Sequence, residues 1–213
     1  MNHLLRRVPD TLTDAELLEL LLRFATEQPR TVAEALLQHF SGIADVMEAE
    51  PADLAQVDGV NEEAVLLLRL VPELQRHYLL ARTTEETRLL SSADFGHYLL
   101  PRFFGARDEM VYLLCLDGAG KVLSCNLLGH GSVNSANVPM RRLIQEALRA
   151  NASGVVLAHN HPSGIALPSR EDVEVTVRLR TALDVMEIAL VDHLVIADND
   201  FVSMKDSGYL HRF

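Results

Sequence analysis

Four residues in the stretch GVVLAHNHPSGIALPSRED, which runs from Gly154 to Asp172, have types and spacings that could do chemistry: His159, His161, Ser169 and Asp172. The stretch opens as a buried strand, Val155, Val156 and Leu157, and then turns abruptly polar. Side chains alternate along a strand, so His159 and His161 project to one side while Asn160 points away. Ser169 and Asp172 stand three apart at the start of an apparent helix and share one face of its first turn. Two imidazoles and a carboxylate form a three-ligand nitrogen and oxygen set with a fourth position free, the ligand count of a catalytic zinc and not of a structural one. Each half also has an ordinary reading. Histidines at a strand end hydrogen-bond in turns, and serine with an acid three residues later is a helix-capping pair. The conjunction of His-x-His-Pro, a six-residue loop carrying Gly164 and Pro168, and Ser-x-x-Asp is what favours the metal.

This combination resembles the signature of the JAMM (JAB/MPN) metalloproteases, and AHNHPSG followed by PSRED resembles their bacterial RadC branch. The resemblance extends from TDAELLELLLR near the start to DHLVIADNDFVSMKDSGYL at the end. It implies that His159, His161 and Asp172 bind Zn2+, that Ser169 stabilises an oxyanion, and that a sequence-distant glutamate is the base for the zinc-bound water. Aligning EMVYLLCLD with the family's Glu-led strand puts Glu109 in that role. Read from the residues alone, Glu109 opens an apolar strand and could reach over the end of a neighbouring one. A solvated strand-edge position beside Arg107 and Asp108 is the alternative, and Glu146 in the helix MRRLIQEALRA is the competing base. The chain departs from the RadC pattern where His130 replaces an arginine and where Pro139, Met140, Arg141 and Arg142 replace His-Pro-Arg-Glu. His130 reads as a loop histidine and not as a fourth ligand.

The elements that must position these residues fall into two sections. Residues 1–87 read as helical. Thr13 to Glu16 and Thr31 to Glu34 both have the form of capping boxes, Pro51 begins a short helix, and Asn61 can cap the long run that follows. Pro72 should kink or interrupt that run. The turn at Asp58 to Asn61 between two helices resembles a helix-hairpin-helix, with Asn61 in place of the second glycine. A polar linker is expected between Thr83 and Ser92. Residues 88–213 read as a mixed α/β domain, which the resemblance makes a JAB/MPN (cytidine-deaminase-like) metal-binding domain. In it Ser92 caps a helix that Pro101 ends or kinks, Met110 to Leu116 is a strand buried on both faces, and Lys121 to Leu128 returns as a hairpin. Gly129 to Ser135 is a loop of small residues, and a helix follows from Pro139. The segment MEIALVDHLVIAD supplies two short strands separated near Asp192, and Asp198 to Asp200 makes a turn into a closing strand. Asp192 and His193 could orient the ligand imidazoles, since such rings normally donate their other N–H to a carboxylate or carbonyl.

Composition narrows the function classes. A chain of 213 residues with 48% hydrophobic content can bury one large core or two small ones. Its two cysteines, Cys115 and Cys125, lie in apolar runs and make no disulfide framework. No membrane-spanning run or signal peptide is read, so a cytoplasmic setting is expected. Residues 1–90 hold 8 Arg and no Lys against 16 Asp and Glu, a net charge of −8. So acidic a section repels nucleic acid, and a structural or protein-docking role is expected for it before a DNA-gripping one. The expected activity is hydrolysis of a peptide or isopeptide bond in a peptide or protein substrate. The alternatives are a DNA-repair protein or nuclease of the RadC type and a non-catalytic scaffold braced by metal. His159-Asn160-His161 is not an HNH nuclease motif, whose named residues are scattered along a ββα unit.

Overall fold

The computed structural model describes residues 12–81, 88–131 and 138–210. Residues 83–87 of the expected linker, the extreme N-terminal stretch and Ser132 to Ser135 of the expected loop lie outside these residues. Two compact units are present, Met1–His77 and Tyr78–Phe213.

The described part of the first unit is all helical. Helices α1 (Asp14–Leu22), α2 (Pro29–His39), α3 (Ile43–Glu48) and α4 (Pro51–Leu54) precede the long α5 (Glu62–Ala81). Thr13 caps α1 as expected, accepting from Glu16 N while the Glu16 carboxylate accepts from Thr13 N. The capping box expected at Thr31 does not form, because α2 begins two residues earlier at Pro29. Proline suits the first helical position, where its fixed φ is helical and its missing N–H would have no partner. Glu34 is engaged by Arg30 instead, at 3.0 Å. Helix α3 gave no sequence signal, since its N-cap is Gly42 and no side chain caps it. Asn61 caps α5 by accepting from Ala64 N at 2.8 Å, and its amide donates to the Ala25 carbonyl at 2.8 Å. Pro72 does not interrupt α5. Leu18, Leu22, Leu36, Leu54 and Leu68 fill the core, each with no exposed surface.

The second unit is built on a five-stranded mixed sheet of order β2-β1-β3-β4-β5. Strand β1 (Glu109–Leu116) pairs antiparallel with β2 (Val122–Gly131) and with β3 (Gly154–Asn160). Strand β4 (Ala189–Ala197) lies parallel to β3 and pairs antiparallel with β5 (Asp200–Ser203). Helix α6 (Ser92–Phe103) covers one face of the sheet, where Phe95, Tyr98, Leu99 and Phe103 meet Tyr112, Leu114, Val156 and Ala158. Helices α7 (Met140–Arg149) and α8 (Arg170–Asp184) cover the other, where Leu143, Val175, Leu179 and Leu183 meet Val111, Leu113, Val155 and Leu157. Being covered on both sides is why β1 and β3 read as continuous apolar runs instead of alternating.

Three expectations change. The cap of α6 is Ser91 and not Ser92, with Asp94 closing the box. As expected, the helix ends at Phe103, with Pro101 in its last turn. Strand β2 extends through His130 to Gly131, so His130 is an exposed strand residue and not a loop residue. MEIALVDHLVIAD forms one strand and not two, because Val191 is a bulge: Val155 pairs with Leu190 and Val156 with Asp192. An inserted residue disturbs the pattern in sequence without ending the strand in space.

Candidate metal centre

The site is assembled where β3 ends and α8 begins. His159 is the penultimate residue of β3, and His161 continues the strand's direction by donating its N–H to the Ile196 carbonyl at 2.8 Å. Asp172 lies in the first turn of α8, whose buried stripe of Asp172, Val175, Thr176, Leu179 and Leu183 faces the sheet. Ser169 is the N-cap of that helix. Its hydroxyl accepts from Asp172 N at 3.1 Å and donates to Asp172 Oδ2 at 2.6 Å, while Ser169 N donates to the same oxygen at 2.8 Å. The capping box expected as an alternative to a metal site therefore coexists with one, since it fixes the carboxylate that faces the histidines.

His159 Nε2 lies 3.0 Å from His161 Nε2 and 3.1 Å from Asp172 Oδ1, and His161 Nε2 lies 3.4 Å from Asp172 Oδ2. Among the described residues these three are the group whose ligand atoms converge, all within 4.8 Å of one another. His159 and Asp172 are buried and His161 is partly accessible, which leaves an approach from one side.

The hydrogen-bond order decides whether the donor set fits a metal. Thr176 Oγ1 donates to the Asp172 carbonyl at 2.6 Å, leaving lone pairs for His193 Nδ1, which therefore brings the proton to their 2.6 Å contact. Burial, reinforced by His159, lowers the pKa of His193 well below the usual histidine value and keeps its ring neutral. A neutral ring with its proton on Nδ1 accepts at Nε2, so His159 Nδ1 is the donor across their 2.9 Å contact. The Nε2 of His159 is then a bare lone pair. At His161, Nδ1 faces the Ile165 carbonyl at 3.0 Å; a carbonyl only accepts, so the proton sits on Nδ1 and the neutral ring presents its lone pair at Nε2. With both rings neutral, two lone pairs and a carboxylate face one another, an arrangement that a divalent cation satisfies.

The structure separates the remaining sequence-predicted residues. Glu109, first in β1, is two residues before Val111, which pairs with His159; it therefore shares a sheet face with both histidines. Its competitor Glu146 accepts from Asn126 at 3.2 Å and from Arg149 at 3.0 Å, on α7. Arg142, which stands where the family has an acid, donates to the Leu128 carbonyl at 2.6 Å. His193 contacts His159 as expected, but Asp192 does not. Asp192 belongs to the opposite face, accepting from Ser203 Oγ at 2.7 Å, Lys205 N at 3.1 Å and its neighbour His193 N at 2.7 Å. Thr176 was missed in the sequence; its only signal is the four-residue spacing from Asp172 that puts both on one helix face.

Burial raises the Asp192 carboxyl above the usual carboxylate range, against its hydrogen bonds to Ser203, Lys205 and His193. A raised folded-state pKa contributes stability that is present below the unfolded value, about 3.9, and lost as pH rises through the folded one. Asp192→Asn has no such slope. Its stability relative to the parent should therefore increase from about pH 4 to pH 7 in urea denaturation. A difference independent of pH would refute the assignment.

A mixed sheet with helices on both faces and a His-x-His…Ser-x-x-Asp cluster at the β3–α8 junction is the arrangement of a JAB domain, and the chain belongs to the RadC-like JAB domain family, which residues 89–209 match. Over 209 residues it is 34% identical to a protein of Saccharophagus degradans named "UPF0758 protein", covering 97% of this chain and 93% of that one. No helix among the described residues is long and apolar enough to cross a membrane.

Proposed function

We propose that this protein is a zinc-dependent hydrolase that cleaves a peptide or isopeptide amide in a peptide or protein substrate. The observation carrying this reading is the convergence of His159 Nε2, His161 Nε2 and the Asp172 carboxylate, whose ligand atoms all lie within 4.8 Å of one another. Zinc is the fitting ion for two imidazoles and one carboxylate with a position left over, and it supplies Lewis acidity that brings a bound water toward a pKa of about 7. Glu109, on the same sheet face, takes the proton of the attacking water and passes it to the leaving amine. Ser169 donates to the oxygen of the tetrahedral intermediate, which requires its hydroxyl proton to turn from Asp172 Oδ2. The acidic helical unit serves docking or structure and not DNA binding.

The test is purified protein of assayed zinc content, incubated separately with a peptide library and with duplex and single-stranded DNA. Amide cleavage is expected, reduced about 10²- to 10⁴-fold in Glu109→Gln with zinc retained. Ser169→Ala is expected to lose about 10²-fold or more. Salt-sensitive DNA cleavage in place of amide cleavage would refute the proposal, as would stoichiometric zinc with no turnover of any peptide.

A further inference from the structure

Asn160 lies between the two histidines but takes no part in the cluster. Strand alternation turns it to the opposite side of β3, where it is 5% exposed. Its Oδ1 accepts from Met110 N at 2.7 Å and its Nδ2 donates to the Asp108 carbonyl at 3.1 Å. These partners orient the amide without ambiguity, since a backbone N–H only donates and a carbonyl only accepts. They are also the two backbone groups on either side of Glu109. The Asp108 carbonyl belongs to the peptide plane entering Glu109 and the Met110 N–H to the plane leaving it. Peptide units are rigid, so holding both planes fixes φ and ψ at the residue between them.

We infer that Asn160 is a positioning residue for Glu109, clamping the backbone on both sides so that the carboxylate is aimed at the site formed by the flanking histidines. Its role rests on Glu109 being the base proposed above. The side chain of one strand end supplies here what ladder hydrogen bonds would otherwise supply, and ties the ligand strand to the start of β1. Only an amide does this at that length. A carboxylate lacks the donor, a hydroxyl is too short to reach both groups, and an aliphatic side chain removes the partner of both backbone groups.

The experiment uses the full-length protein loaded with cobalt(II), whose visible absorption responds to the surroundings of its open coordination position. Glu109→Gln should change the spectrum. Asn160→Ala, and the isosteric Asn160→Asp that keeps only the acceptor half of the clamp, should reproduce that change. Cobalt affinity should stay within about tenfold of the parent, short of the about 10- to 100-fold loss typical when support of a ligand is removed. If Glu109→Gln leaves the spectrum unaltered, the base assignment fails and the inference with it. If Glu109→Gln alters it and a folded Asn160→Asp keeps the parent spectrum, the base stands and the clamp is refuted. A loss of cobalt affinity beyond tenfold in the Asn160 variants also overturns the inference, because Asn160 would then act on the histidines.

Discussion

Asp172→Ala should abolish divalent metal binding while both histidines stay in place. The carboxylate is the one negative charge among the three converging groups and is buried, 3.1 Å from His159 Nε2. Without it a dication would have to be taken out of water by two neutral rings, a desolvation cost that two nitrogen lone pairs do not offset. The loss should exceed the about 10- to 100-fold seen when only a supporting group is removed. The substitution also removes half of the α8 capping box, worth about 1 kcal/mol, so the metal-free fold should be only modestly weakened. Competition with a chromophoric chelator measures the affinity. Thermal unfolding gives a second reading: zinc at 100 times its Kd stabilises the parent by about 2.7 kcal/mol, and that gain should vanish in the variant. Zinc binding within tenfold of the parent would refute the centre as drawn.

The second large effect is at a residue that touches no ligand ring. Thr176→Val removes a hydroxyl and keeps the volume, so packing against Met204 and the α8 stripe is retained. What is lost is the acceptor that holds the His193 proton on Nδ1. The buried ring then moves its proton to Nε2, where it faces His159 Nδ1 and drives the His159 proton to the atom that should ligate. Binding metal must reverse this and leave His193 Nδ1–H buried without a partner, at a cost of about 1–3 kcal/mol. Affinity should accordingly fall about 10- to 100-fold, by the same chelator competition, with the α8 helix intact by circular dichroism. An unchanged affinity would mean that the Thr176–His193 chain does not set the His159 tautomer.

Both effects run through contacts that differ in how far they could be read from the chain. His-x-His and Ser-x-x-Asp are local. Strand alternation and the helical turn place their side chains whatever the rest of the molecule does, so the three candidate ligands and the cap at Ser169 were legible. The buried strands β1 and β3 and the long helices were legible for the same reason, as apolar runs and capped periodic segments. Relations between strands were not. That Glu109 shares a face with the histidines depends on the antiparallel register of β1 with β3, which no local pattern encodes. The choice between Asp192 and His193 depended on one bulged residue. With Val155 opposite Leu190 and Val156 opposite Asp192, the inserted Val191 reverses the alternation, so that His193 falls on the face of His159 and Asp192 on the other. Local periodicity thus determined which residues could ligate a metal, while register, set by tertiary packing, decided which neighbours serve them.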